Sequence, residues 1–175
     1  MAAPVKAVLV AVIAAAALFI LTQLAFFFPF YMTIVIETIN LANVAADDNY
    51  VRYEYWESSL QRLQERAVFS KAYSWDSSCI SIEVVKGTPG DAHGSAIGDA
   101  REDGTDFYYD RTGWADRNKP YRQRGEPLTI TVRAAYPFEV SMWGWSVSKL
   151  WPASFRMTTI GVKYYKDLPY DYLFG

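Results

Sequence analysis

The residue types that could do chemistry are few in this chain, and they are scattered. Its one histidine is His93 and its one cysteine is Cys79. A histidine-assisted nucleophile needs a fixed base beside it, but His93 lies in the glycine-rich stretch GTPGDAHGSAIGDAREDG (Gly87–Gly104). That stretch lacks the strand-to-helix setting and the lysine of a phosphate-cradling loop, and neither G-x-S-x-G nor H-E-x-x-H occurs. One cysteine excludes an intramolecular disulfide and a cysteine-based zinc site. Carboxylates gather at Asp91, Asp99, Glu102, Asp103, Asp106 and Asp110, yet DAREDGTD lacks the D-x-[DN]-x-[DN]-G order of a calcium loop. Arg111, Arg117, Lys119, Arg122 and Arg124 follow them. A solvated loop is the reading for both clusters. No catalytic residue, metal ligand, cofactor or small-molecule substrate is expected.

The polar groups with the sharpest physical demand are instead Thr22 and Gln23. They interrupt AVLVAVIAAAALFILTQLAFFFPFYM (Ala7–Met32), a run without a charge. A bilayer core is crossed by about 20 apolar residues, and a chain of 175 residues is too short to bury seven apolar turns on every face. The run predicts a membrane span, and no small-x-small cleavage site follows it. Gln23 facing lipid is costly, so it either bonds a partner on another helix or satisfies itself on a nearby carbonyl. Ala14 and Ala17 are small enough to let a second helix approach. Pro29 lacks an N–H and collides with the carbonyl of Ala25, which predicts a kink, a melted turn or the membrane exit. Ala14, Ala17, Thr22, Gln23 and Pro29 are therefore the candidate helix–helix assembly residues.

Lys6 is the one basic residue of the first 36, which leaves 16 basic against 19 acidic residues beyond them. That balance gives no basic stripe for nucleic acid. Six residues ahead of the span favour a cytoplasmic N-terminus, with the C-terminal bulk outside the cell membrane.

Three regions must position these residues: 1–36, the transmembrane helix; 37–73, an amphipathic helical extension; and 74–175, a small β-sheet domain with a long loop over 87–127. From Phe30 to Ala72 there is neither glycine nor proline. Ile39, Ala42, Ala46, Tyr50, Tyr53, Trp56, Leu60, Leu63 and Ala67 recur at helical spacing. One helix of about 65 residues, roughly 100 Å long, is predicted. Strands follow at Cys79–Lys86, with Ile80, Ile82 and Val84 on one face, and at Leu128–Val140, where Pro137 predicts an edge or bulge. A third runs over Phe155–Tyr165, with a change of phase near Thr159–Gly161 that predicts a β-bulge. Trp56, Leu60 and Leu63, with Tyr53, are expected to pack on Ile80, Ile130, Val132 and Ile160. A hairpin arm is expected at Asp106–Tyr109. MWGWSVSKLW (Met142–Trp151) is a turn whose Trp143, Trp145 and Trp151 either contact lipid headgroups or another subunit, or fold back over the helix. The fold class is α+β, a long N-terminal helix on a small antiparallel sheet.

This layout resembles the pilin-like membrane proteins, in particular the TadE-like proteins of tight-adherence pilus systems. The residues that carry the resemblance are the apolar N-terminal helix, its alanine-containing continuation INLANVAADDNYVRYEYW (Ile39–Trp56), and the closing pair TITVRAAYPFEV (Thr129–Val140) and SFRMTTIGVKYY (Ser154–Tyr165) split by the tryptophan turn. The chain departs from pilins in lacking a basic leader and an early glutamate, since its first acid is Glu37. The family's processing and glutamate pairing therefore transfer to no residue here. The resemblance implies a non-enzymatic structural or assembly subunit of a pilus or secretion-type surface apparatus. Its partners would be the lipid bilayer, other subunits of the apparatus and further copies of itself. The alternative is a membrane-tethered extracellular binding or sensor module.

Overall fold

A computed structural model describes residues 2–98, 120–142 and 144–165. It has an α+β architecture, a long N-terminal helix on a curled antiparallel sheet. Helix α1 (Ala2–Asp48) leads into a short strand β1 (Val51–Arg52), helix α2 (Tyr53–Glu65) and helix α3 (Ala67–Trp75). Strands β2 (Ser81–Thr88), β3 (Asp91–Ser95), β4 (Ile97–Gly98), β5 (Pro127–Met142) and β6 (Trp145–Ile160) complete it. The main sheet has the order β3-β2-β5-β6 and is antiparallel throughout, while β1 and β4 form a separate parallel pair.

The expected single helix through Ala72 is broken at Asn49. That residue has φ 62°, the left-handed conformation asparagine tolerates at a helix C-terminus. The last carbonyls of α1 find partners in a later segment: Val162 donates its N–H to Ala46 O (2.9 Å), and the Tyr165 hydroxyl donates to Asp48 O (2.6 Å). The orphan acceptors of the final turn are thereby satisfied. At 47 residues, α1 is about 70 Å long at 1.5 Å per residue, short of the expected 100 Å. The chain then folds back along it. Arg62 reaches Glu37, Arg66 reaches Thr33, and Phe69 stacks on Phe30, so α2 and α3 run antiparallel to α1. No glycine or proline is needed for this reversal, which is why the sequence pattern ran through it.

The break also rotates the buried face. On α1 the covered residues are Phe30, Ile34, Glu37, Thr38, Leu41, Ala42 and Ala45, at the steps of three and four that define one helix face. Of the expected stripe, Ala42, Tyr50 and Leu63 are buried, and Trp56 and Leu60 pack against the core. Ile39, Tyr53 and Ala67 are exposed. A face counted across Asn49 joins two helices of different orientation. The sheet supplies the opposite wall with Ile80, Ile82, Val84, Leu128, Ile130, Val132, Ala134 and Tyr136. Those are the alternating positions expected for the first two strands, and the Trp56 indole N–H donates to Ile82 O at 2.9 Å.

The third strand differs from expectation. β6 pairs with β5 without a register slip from Pro127↔Ile160 to Met142↔Trp145, so there is no bulge near Thr159–Gly161. The chain leaves the sheet after Ile160. A Cβ on Gly161 would lie 2.4 Å from Asn49 Cγ, so only glycine fits beside the asparagine that ends α1. Val162 and Tyr164 are out of phase because they no longer belong to a strand. Ile160 is 58% exposed and takes no part in the core expected of it. Pro137 falls beyond Arg133, the last β5 residue that β2 pairs, so among the described residues β5 there has only β6 as a strand neighbour.

Part of the 87–127 stretch is sheet. Pro89–Gly90 forms a two-residue hairpin loop between β2 and β3, with Thr88 opposite Asp91. A register shift falls between Val85 and Gly87, where Gly87 has φ 101° and an added Cβ would lie 2.0 Å from Asp91 O. This is a bulge that requires glycine. Residues 120–126 brace the end of α1, whereas the DAREDGTD run and the expected arm Asp106–Tyr109 lie outside the described residues.

Candidate membrane and assembly interface

The N-terminal third of α1 stands away from the sheet. Every residue from Pro4 to Leu18 is exposed, and apart from Lys6 that surface is apolar. Helix α1, taken from Pro4 to Asp48, is long and apolar enough to cross a membrane. Ala14 and Ala17 lie on it, uncovered. The helix continues through Pro29 without a melted turn, with Pro29 O accepting from the Thr33 hydroxyl at 3.0 Å.

Within the chain, Gln23 finds a partner that neither expectation named, on the sheet. Its amide oxygen accepts the Tyr136 hydroxyl of β5 at 3.3 Å. Thr22 is satisfied locally, donating to Leu18 O at 2.8 Å, as helical threonines do. Around Tyr136 the rings of Phe27 and Phe30 meet it edge-on at 5.5 and 5.3 Å. Such pairs add to simple area burial. Burial in this cluster pushes the Tyr136 hydroxyl pKa up, slightly countered by Lys71, so the group remains a donor at neutral pH. One β5 step on from Pro137, Phe138 lies between Phe19 (6.4 Å) and Trp151 (6.0 Å), both edge-on. A cleft of about 470 Å³ opens there between α1 and the β5–β6 pair, with Ile20, Leu24 and Trp151 among its mainly apolar walls.

The tryptophan segment is not a loose turn. Met142 and Trp145 are paired, and Gly144 (φ 85°) stands in the connection between them. Trp145 is 80% exposed and Trp151 60% exposed; Trp143 lies outside the described residues. Of the three tryptophans, Trp151 meets the ring beside the helix, and Trp145 remains open.

Two polar joints that the sequence analysis did not identify hold the domain to α1. Glu37, 5% exposed, accepts Arg62 at 2.6 Å. Asn49, wholly buried, donates to Arg122 O (2.8 Å) and Lys163 O (2.6 Å) and accepts from Lys163 N (2.9 Å). Gln123 closes the same joint by donating to Tyr165 O and accepting from Tyr165 N. The residue types carried a faint signal, an asparagine at the end of a periodic run and an acid inside one. Their partners lie up to 114 residues away, which no local pattern reports.

Among the described residues, no three His, Cys, Asp or Glu side chains gather as a metal site would require. The Cys79 thiol is pushed up in pKa by burial and by Asp76, the reverse of an activated nucleophile. Comparison with protein families, characterised proteins and solved structures finds no match to this chain.

Proposed function

We propose that α1 crosses the cell membrane once, with the N-terminus cytoplasmic and the sheet domain outside, and that the protein is a non-enzymatic, pilin-like subunit of a surface assembly. The observation that carries this is the projecting apolar surface of Pro4–Leu18, exposed on all sides. Only lipid or other apolar helices can cover such a surface at low cost in free energy. Ala14 and Ala17 provide a small-residue face for close helix approach, and neighbouring subunits are the partners this arrangement suits.

Two measurements test the proposal. Orientation is read by replacing Cys79 with serine, placing a cysteine at the exposed Arg124, and labelling intact cells with an impermeant thiol reagent. Labelling that needs lysis overturns the orientation. Assembly is read by exchanging residues 4–18 for an unrelated apolar helix. Insertion should persist while co-purification with neighbouring subunits or other copies weakens; unchanged co-purification makes α1 a tether only. A second reading, a membrane-tethered binding module, is favoured by the open tryptophans of β6. A stable monomer in detergent that binds a soluble ligand selects it.

A further inference from the structure

Beyond Tyr136 the β5–β6 pair is a two-stranded arm whose two faces differ. Phe138 and Val140 share one face with Trp145, Val147, Lys149 and Trp151 across the ladder. The opposite face carries the Pro137–Leu150 pair at its base and then only Glu139, Ser141, Ser146 and Ser148, and Lys71 holds Glu139 at 2.5 Å. The apolar face is the one that meets α1, but the helix covers only its base. Trp145 is 80% and Val147 56% exposed.

We propose that this arm is a second membrane contact, lying in the outer headgroup–acyl boundary with Trp145, Val147 and Trp151 toward the lipid chains. The inference rests on α1 crossing the bilayer. The occupant follows from where the arm is fixed. Ala7 to Gln23, the uncharged part of α1 up to this joint, rises about 25 Å at 1.5 Å per residue, and about 17 residues is the short end of the range that crosses a hydrocarbon core. Gln23 is bonded to Tyr136, and Phe19 packs on Phe138. The base of the arm is therefore anchored at the level where the helix leaves the outer leaflet. Tryptophan is the side chain enriched at that level. Lys149, paired opposite Phe138, has a stem long enough to carry its charge to headgroups.

Depth is limited by the backbone. Among the described residues, neither β6 nor β5 beyond Arg133 has a strand neighbour on its outer edge. Hydrocarbon does not accept unpaired N–H and C=O groups. The arm thus lies along the boundary, its serine face toward water, with α1 inclined to the bilayer normal as spanning helices commonly are. In this arrangement Gln23 and Tyr136 mark the outer end of the span and not its middle.

The test uses the full chain with Cys79 replaced by serine, reconstituted in phosphatidylcholine–phosphatidylglycerol vesicles. Nitroxide labels are placed singly at Ile13→Cys, Val147→Cys and Ser148→Cys, and collisions with oxygen and with a water-soluble nickel chelate are compared. The expected result is oxygen-dominated collision at 13 and 147 and nickel-dominated collision at 148, a several-fold alternation between adjacent residues. Nickel access at both 147 and 148, with 13 in lipid, overturns the arm contact and leaves the span standing. Nickel access at 13 overturns the span and the inference with it. Shielding of 147 from both reagents overturns lipid as the occupant, because another protein surface then covers the arm.

Discussion

The Tyr136 hydroxyl donates to the Gln23 amide oxygen across 3.3 Å, joining the sheet to the apolar helix inside one chain. The amide oxygen of Gln23 is thereby satisfied within its own domain, which leaves its two N–H donors as the part of the side chain for a neighbouring helix to meet. A neutral hydrogen bond of this length contributes about 0.5–1.5 kcal/mol. Gln23→Leu and Tyr136→Phe should each destabilise by about that amount in detergent unfolding. The double variant should lose little more than either single one, and full additivity in that cycle would show that the two side chains act independently.

Glu37 is almost fully buried and depends on Arg62, while Glu83 and Arg133 form a pair that is open to solvent on both sides. Removing Arg62 leaves a buried carboxylate short of a partner, so Arg62→Ala should cost about 1–3 kcal/mol. Arg133→Ala should stay within about 0.5 kcal/mol. Equal midpoints for the two variants in denaturant titration would show that the α1–α2 joint is not held by this charge.

Leu63 is 1% exposed, and Leu60 is half-buried at the margin of the same core. Leu63→Ala should therefore cost about 2–5 kcal/mol, and Leu60→Ala clearly less. Glu57→Ala, on the exposed side of α2, should fall within about 0.5 kcal/mol. A larger loss at 60 than at 63 would place the buried face one turn wrongly.

Asn49 combines a left-handed backbone with three side-chain hydrogen bonds. Asn49→Ala loses both and should cost about 2–3 kcal/mol, while Asn49→Gly keeps the conformation and should recover part of it. If thermal unfolding finds glycine no better than alanine, the bonds alone matter there.

Lys86 is 2% exposed, and its pKa is lowered by burial and by Arg122, partly offset by Glu126. Between its folded pKa and the ordinary 10.5, the unfolded chain binds the extra proton. Its contribution to stability therefore rises with pH through that window. Tyr136 and Cys79, both raised, act in the opposite sense as pH climbs past their ordinary values. The difference between the parent and Lys86→Met isolates the lysine: the stability of the parent relative to the variant should rise as pH rises toward 10.5. A gap independent of pH would mean that the ammonium is as well solvated in the fold as outside it.

The sequence by itself determined the features that depend on local composition and period. Ala7–Met32 carries no charge and is apolar but for Thr22 and Gln23, so a helix long enough for a bilayer follows from composition alone. Ile80, Ile82 and Val84, and Leu128 through Tyr136, alternate, so two strands and their buried faces follow from the period of two. Tertiary structure decided the rest, because each remaining feature is a contact between distant residues. Helical periodicity passes through Asn49 unchanged, and only the Arg122 and Lys163 backbones that seize its side chain make the helix stop there. The phase change after Thr159 is a departure from the sheet because Gly161 must clear Asn49. Gln23 announced a polar need, but its partner lies 113 residues away on β5. A local pattern can state that need; only the packing of α1 against the sheet supplies the group that answers it.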